Sequence, residues 1–268
     1  CGGDAKIWSW TAENTLIFTA ARTAAIKKET ENGTSFFYEI SPSGGEASCR
    51  ASVPASVTGI RLLPDGRYLL TIRHDNYKDT RKKSYEVFDE LPFWANGQGI
   101  VNKKRTRLAV YDLESGSCEI VTPDYENVEA SWVEGDDTIL YVSSLYTDKK
   151  DVYQGLKQYT ISTGELKTLV EQKDMSIDYA CILKGKVTFF GSYMKEYGFN
   201  ENDKLYTVED GKVELLSDYD DSIRNTICCD CKFADGASAI HDEDKIYFIA
   251  TLRKQSVIRT FDAEGNME

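Results

Sequence analysis

Chemistry in this sequence would have to come from its cysteines, its two histidines or its serines, and none of these has the spacing that its chemistry needs. Three of the seven cysteines stand together in Cys228-Cys229-Asp230-Cys231. A structural zinc takes four tetrahedral ligands, usually as two closely spaced pairs. No second pair exists, and the only histidines are His74 and His241. On a strand, Cys229 and Cys231 would share one face as small apolar side chains. The odd total, with Cys1, Cys49, Cys118 and Cys181 scattered, is no disulfide framework, so a reducing cytoplasm is the expected compartment. No metal site and no other cofactor is expected.

A hydrolase nucleophile would sit in a Gly-x-Ser-x-Gly elbow. Ser192 in Phe190-Gly191-Ser192-Tyr193 and Ser238 in Asp235-Gly236-Ala237-Ser238 both lack the second glycine. His241 falls in a turn before an apolar strand and His74 ends one, so both read as loop histidines rather than catalytic bases. No catalytic residue is therefore expected in this chain. Asn96-Gly97-Gln98-Gly99 is a turn rather than a dinucleotide fingerprint, because Asn102 stands where the third glycine would be. The acidic stretches 218–221 and 242–244 lack the ligand spacing of a calcium loop and read as solvated turns.

The elements that must carry these residues are strands. Aromatic residues make up 12% of the chain, with 16 Tyr and 11 Phe, and such side chains favour a pleated surface. One unit recurs five times: a short strand, a polar turn, a strongly apolar strand, a variable loop, then a hairpin. The apolar strands are Leu16–Thr19, Tyr68–Thr71, Ile139–Val142, Val187–Phe190 and Ile246–Ile249. Polar turns rich in Gly, Asn and Asp precede them, as tight hairpins demand. Leu156–Leu169 has apolar residues at both ends, but Thr160, Ile161, Thr163 and Gly164 make it a hairpin rather than a helix. No helical period exceeds a turn or two.

A repeat of this kind predicts an all-β fold, a β-propeller of four-stranded blades. About five blades are present, in units near 5–53, 57–122, 128–171, 175–217 and 226–268, and the ring is expected to be incomplete. The units exceed the roughly 40–50 residues of a simple blade. The excess lies mostly between second and third strands, near 20–34, 74–104, 143–153 and 192–202, with part of the last step in 225–236. Strand direction puts the insertions between second and third strands on one face, where long loops usually carry function.

Charge narrows the partners. The formal charge is −12, from 44 acids against 32 bases, and that field repels a phosphate backbone, so nucleic acid is not an expected partner. The one basic run, Lys103-Lys104-Arg105 with Arg107, reads as a solvated loop entering a strand. No apolar stretch approaches the ~20 residues needed to span a bilayer, so no membrane is expected either. The chain opens at Cys1 without a methionine, and its natural N-terminus is expected to lie upstream.

Two segments carry a family resemblance. Ile60–Thr71, with Pro64-Asp65-Gly66 between two strands, looks like the repeat of periplasmic and peptidase propellers. Phe88-Asp89-Glu90-Leu91-Pro92-Phe93-Trp94-Ala95-Asn96-Gly97-Gln98-Gly99, closing on Arg105–Asp112, resembles the propeller of the prolyl oligopeptidase family. It is most similar to the bacterial acylaminoacyl-peptidase and dipeptidyl-peptidase-like branch. Gly2-Gly3-Asp4 before a Trp-containing strand is similar to that family's lead into a second blade.

The resemblance implies a blade before Cys1, at least one after Glu268, and then an α/β-hydrolase domain bearing the serine, histidine and aspartate. It implies a propeller that gates peptide substrates, with its own hydrolase domain as partner. Phe93, Trp94 and Asn96 are the candidate domain-contact or substrate-facing residues. Two large aromatics in a long loop must pack on something, either under their own loop or against that domain and its substrate. A free-standing interaction scaffold remains the alternative. A propeller enzyme working through central carboxylates is disfavoured, because the innermost strands, around Trp8, Ile60, Trp132 and Ile182, supply mainly apolar residues.

Overall fold

The computed structural model describes residues 7–31, 33–77, 84–223, 239–253 and 255–268. The chain forms two compact units, Cys1–Val128 with Leu145–Lys150, and Glu129–Ser144 with Asp151–Glu268. Cys1, Cys228, Cys229, Cys231 and Ser238 lie outside the described residues.

In the first unit, β1 (Trp8–Trp10), β2 (Leu16–Thr19), β3 (Ser35–Ile40) and β4 (Ser48–Val53) form a sheet in chain order. Helix α1 (Ala24–Glu31) fills the β2–β3 insertion and is the two turns that the sequence left room for. The second sheet holds β5 (Ser56–Leu62), β6 (Tyr68–Asp75), β9 (Lys104–Tyr111) and β10 (Cys118–Ile120). Its β6–β9 insertion carries a small hairpin, β7 (Trp94–Ala95) with β8 (Gly99–Ile100). Ile17, Phe37 and Val53 of the first sheet pack on Leu70, Ile72, Ala109 and Tyr111 of the second.

The second unit has the same design. Its first sheet is β11 (Glu126–Glu134, whose first three residues count with the first unit), β12 (Thr138–Leu145), β13 (Gly155–Thr160) and β14 (Leu166–Val170). The next is β15 (Ser176–Leu183), β16 (Lys186–Ser192), β17 (Lys204–Glu209) and β18 (Lys212–Ser217). The last is β19 (Ala239–His241), β20 (Lys245–Leu252) and β21 (Gln255–Asp262), with Met267 bridged to Phe261 where a fourth strand would run. The strand pairs of the described sheets run antiparallel between chain neighbours within each sheet, and the five larger sheets are propeller blades.

Each expected apolar strand is the second strand of its sheet, β2, β6, β12, β16 or β20. In β12 and β16 the reason is burial on both faces. Phe189 and Phe190 are adjacent in β16 and point to opposite sides of the sheet. Phe189 packs with Leu140, Val142 and Leu156 of the preceding sheet, and Phe190 with Ile246, Phe248 and Phe261 of the following one. Segment 156–169 is the β13–β14 hairpin, as its threonines and glycine imply.

The turns are held by aspartates. Asp112 Oδ1 accepts the N–H groups of Glu114 and Ser115, Asp242 those of Asp244 and Lys245, and Asp262 those of Glu264 and Asn266. These donors hold the Asp112 and Asp242 carboxyls below the usual range, and the Asn266 side chain leads the same effect at Asp262. A carboxyl depressed on folding contributes stability above its unfolded value near ~4 and loses it as pH falls through the folded value. The chain should therefore weaken in acid, and Asp112→Asn should flatten that acid limb; denaturant midpoints taken from pH 7 to pH 2 check it.

Gly191 in β16 marks the tightest backbone approach within a strand: a Cβ there would stand 2.5 Å from the Ser176 carbonyl oxygen, beside the bulge between Ile177 and Tyr179. Gly191→Ala should lower stability by about 1–3 kcal/mol through overpacking. Gly59→Ala, where a Cβ meets only the Thr71 side chain at 3.1 Å, should cost less. Urea unfolding of the two variants gives the comparison.

Candidate functional site: an anchored aromatic loop

The structure places Phe93, Trp94 and Asn96 on the β7–β8 hairpin of the first unit. Trp94 pairs with Ile100 across the two strands, and the Val101 N–H donates to the Phe93 carbonyl at 2.8 Å. Asn96 lies in the exposed turn, which Gln98 N–H closes on Ala95 O while Gly97 and Gly99 take positive φ of 73° and 75°. The Asn-Gly-Gln-Gly segment is thus the turn that its spacing implies. Phe93 stacks on Phe88 with ring centroids 4.9 Å apart. Even so, Phe93 stays 41% and Trp94 55% exposed, so the rings pack partly on their own loop and partly on nothing.

What holds this loop is a charge pair that sequence reasoning misassigned. The basic run 103–107 is not solvated. Arg105 is 1% exposed and Glu90 3%. Arg105 Nη1 and Nη2 donate to Glu90 Oε1 and Oε2 at 2.9 and 2.5 Å, a two-pronged pair. Nε donates to Tyr125 O at 2.9 Å, Nη2 also to Tyr146 O at 2.8 Å, and the guanidinium lies 3.7 Å from the Tyr146 ring centroid. Arg107, also buried, donates to the Thr122 carbonyl and pairs with Asp124 at 2.8 Å. The physical reason is the planar fork of arginine, which keeps several donors satisfied without water. Two arginines at alternate positions of β9 lie on one face, and that alternation was the available signal.

Glu90 also fixes the start of β9, accepting the Lys103 N–H at 3.0 Å. Leu91 exchanges backbone hydrogen bonds with Asp148 O and Lys150 N, each 2.7 Å, so the insertion is stitched to segment 145–150 of the same unit. The outcome is a rigidly rooted loop whose tip presents aromatic and aliphatic side chains.

The second unit holds another polar cluster. His241 is not a loop residue: it ends β19, with Nδ1 2.7 Å from the Tyr179 hydroxyl and Nε2 3.0 Å from Glu134 Oε2. Glu134 Oε2 also accepts the Ile182 N–H at 2.9 Å. The first strands of three successive sheets, β11, β15 and β19, are therefore joined by a polar chain in which Glu134 and Tyr179 are buried and His241 is partly exposed. The order hydroxyl, imidazole, carboxylate is that of a catalytic relay, but the hydroxyl is unsuited to attack. Tyr179 is 6% exposed, and burial, with Cys181 and Glu134, pushes its hydroxyl well above the ordinary phenol range. The chain of hydrogen bonds is a tie between blades.

Ser192 is likewise structural: it is 2% exposed and donates to Glu201 at 2.8 Å. Among the described residues, no three His, Cys, Asp or Glu side chains gather as metal ligands would, and no helix is long and apolar enough to cross a membrane.

No protein-family model and no curated protein matches the sequence. Solved structures do match the fold. Pyrococcus horikoshii acylaminoacyl peptidase superposes with a TM-score of 0.64 at 18% identity, over 99% of this chain and 38% of that one. An oligogalacturonate lyase in complex with manganese gives 0.56 at 13%, over 96% and 64%. The β-propeller domain of the trilobed protease from Pyrococcus furiosus gives 0.51 at 15%, over 98% and 68%. Likeness at such identities shows the fold, a β-propeller. The chain spans little more than a third of the acylaminoacyl peptidase.

Arg105→Met should destabilise the first unit by about 3–5 kcal/mol, because it leaves the Glu90 carboxylate buried without its partner. Replacing both residues, Glu90→Leu with Arg105→Met, should recover much of that loss. Urea unfolding of the two variants measures the difference, and limited proteolysis should find new cleavage within 84–103 in the single variant alone.

Proposed function

We propose that this chain is propeller from a serine peptidase of the prolyl oligopeptidase family, and that its aromatic loop faces the catalytic domain and helps to admit peptides. The observation that carries the reading is the rooted loop itself. A buried ion pair and a backbone bridge hold its base, while Phe93 and Trp94 on its hairpin stay half-exposed. Such a device suits an interface that must keep its shape. The likeness of 99% of the chain to part of acylaminoacyl peptidase supports the same reading.

In this reading acyl transfer uses a serine, histidine and aspartate of the hydrolase domain. The propeller contributes exclusion, since only peptides and short unfolded segments pass to a covered site. A cytoplasmic bacterial setting goes with the same proposal. The manganese-bound lyase would instead suggest an enzyme working within the propeller, but among the described residues no cluster of His, Cys, Asp or Glu side chains favours it.

The test uses the full-length gene product. It should label with a serine-directed phosphonate and cleave peptides, and Phe93→Ala with Trp94→Ala should reduce peptide turnover at least tenfold while the melting temperature of the propeller stays within a few degrees. Unchanged turnover with a lowered melting temperature would leave the loop as packing only. A full-length product that neither labels nor cleaves would make the chain an interaction scaffold.

A further inference from the structure

The turn of the β7–β8 hairpin carries chemistry of its own. In an Asn-Gly pair the glycine nitrogen can reach the asparagine side-chain carbonyl, because no Cβ stands over it. The sequence has two such pairs, Asn32-Gly33 and Asn96-Gly97. The Gly33 N–H is engaged, donating to Thr30 O at 3.0 Å, and Asn32 lies outside the described residues. Asn96 and Gly97 are both exposed, at the two central positions of the turn that Gln98 N–H closes on Ala95 O. Among the described residues no hydrogen bond holds the Asn96 amide or the Gly97 N–H.

Elsewhere the same chemistry is shielded. Outside the two pairs, every asparagine precedes a residue with a Cβ. Asn127 Oδ1 also accepts the Thr106 N–H, and Asn202 Nδ2 donates to Asp220. In Asp65-Gly66, the acidic counterpart, both carboxylate oxygens are held by Arg67.

We propose that Asn96 is a self-modification site that ages the aromatic loop. The Gly97 nitrogen loses its proton and bonds to Cγ of Asn96. The Cγ–Nδ2 bond breaks, ammonia leaves, and a five-membered succinimide closes. Water then opens the ring. Attack at Cγ gives aspartate in an ordinary chain, while attack at the backbone carbonyl carbon gives isoaspartate, whose chain runs through Cβ and Cγ. Either product adds one negative charge to the turn.

The consequence falls on the hairpin. Only two residue pairs, Trp94 with Ile100 and Ala95 with Gly99, join β7 to β8. Register in so short a hairpin is set by its turn. Isoaspartate lengthens that turn by a methylene, beside two glycines whose positive φ shapes it. The pairing should then be lost and Trp94 freed from Ile100. This step rests on the turn and not on the peptidase reading.

The test ages the purified 268-residue chain between pH 6 and pH 9 and follows each asparagine by peptide mass spectrometry. Asn96 should lose its amide at least tenfold faster than any asparagine not followed by glycine. The rate should rise with pH, since the attacking nitrogen must lose its proton, and enzymatic methylation should find isoaspartate at position 96. Limited proteolysis of the aged chain should gain cleavage within 84–103. Asn96→Asp, which adds the charge alone, should not gain it. Asn96→Gln, whose ring closure would be six-membered, should keep both its amide and its resistance. An Asn96 that stays intact while a synthetic peptide of residues 93–100 loses its amide would overturn the proposal. So would amide loss without new cleavage, because the hairpin would then have kept its register.

Discussion

The paired charges of Glu90 and Arg105 are the interaction on which the exposed chemistry of this protein depends. Neither side chain has water to fall back on, so the pair holds only if every donor and acceptor has a partner. The structure meets that condition with Tyr125 O, Tyr146 O, Lys103 N–H and the Tyr146 ring. A buried pair of this kind adds little net stability compared with apolar side chains of the same size, and its effect is on geometry. The arrangement of the 84–103 insertion in the structure satisfies both ions, and the β7–β8 hairpin is part of that insertion.

The blades themselves need no such device, because their apolar pattern is over-determined. A strand apolar at every position suits cover on both sides, and around β16 the neighbouring sheets supply it. This is why the apolar centres of the second strands were legible in the sequence, with only Leu16–Thr19 matched end to end, and why the hairpins followed from their Gly and Asp turns. The 156–169 segment shows the limit of composition alone: its apolar ends suit a helix, and the threonines and Gly164 decide for the hairpin. The hairpin site was legible in part. Phe93, Trp94 and Asn96 stand out as costly residues in a long loop, but whether they pack inward or outward is a question of burial that the sequence does not pose.

What stayed hidden has a common cause. Arg105 meets an acid 15 residues back, and Tyr179 a histidine 62 residues ahead. Glu134 accepts from a backbone group 48 residues on. No local pattern encodes such partners, since loop closure brings them together only after the strands have paired. A charged residue beside other charged residues therefore reads as solvated, and a histidine beside a turn reads as loop. Arginine rather than lysine at positions 105 and 107 was the one chemical clue, because a guanidinium can be buried with its donors satisfied where an ammonium is harder to place.

The insertions between second and third strands raise the same physical problem in each blade, and the solutions share a form. A long loop must find partners for its own backbone groups without a neighbouring strand. In the first blade α1 does this internally, with the Thr23 hydroxyl accepting the Ile26 N–H at its start. In the second blade a loop carboxylate, Glu90, takes donors from the beginning of β9. In the blade of β15–β18 another loop carboxylate, Glu201, accepts the Ser192 hydroxyl at the end of β16 and the N–H groups of Glu196 and Tyr197. Burial pushes that carboxyl up, but the N–H and hydroxyl donors outweigh it and hold it below the usual range. In these two insertions a loop acid takes donors from a strand end, and in the second blade a backbone bridge from Leu91 adds to it. That arrangement leaves Phe93 and Trp94 in one blade, and Tyr197 and Phe199 in another, exposed on loops anchored through a carboxylate.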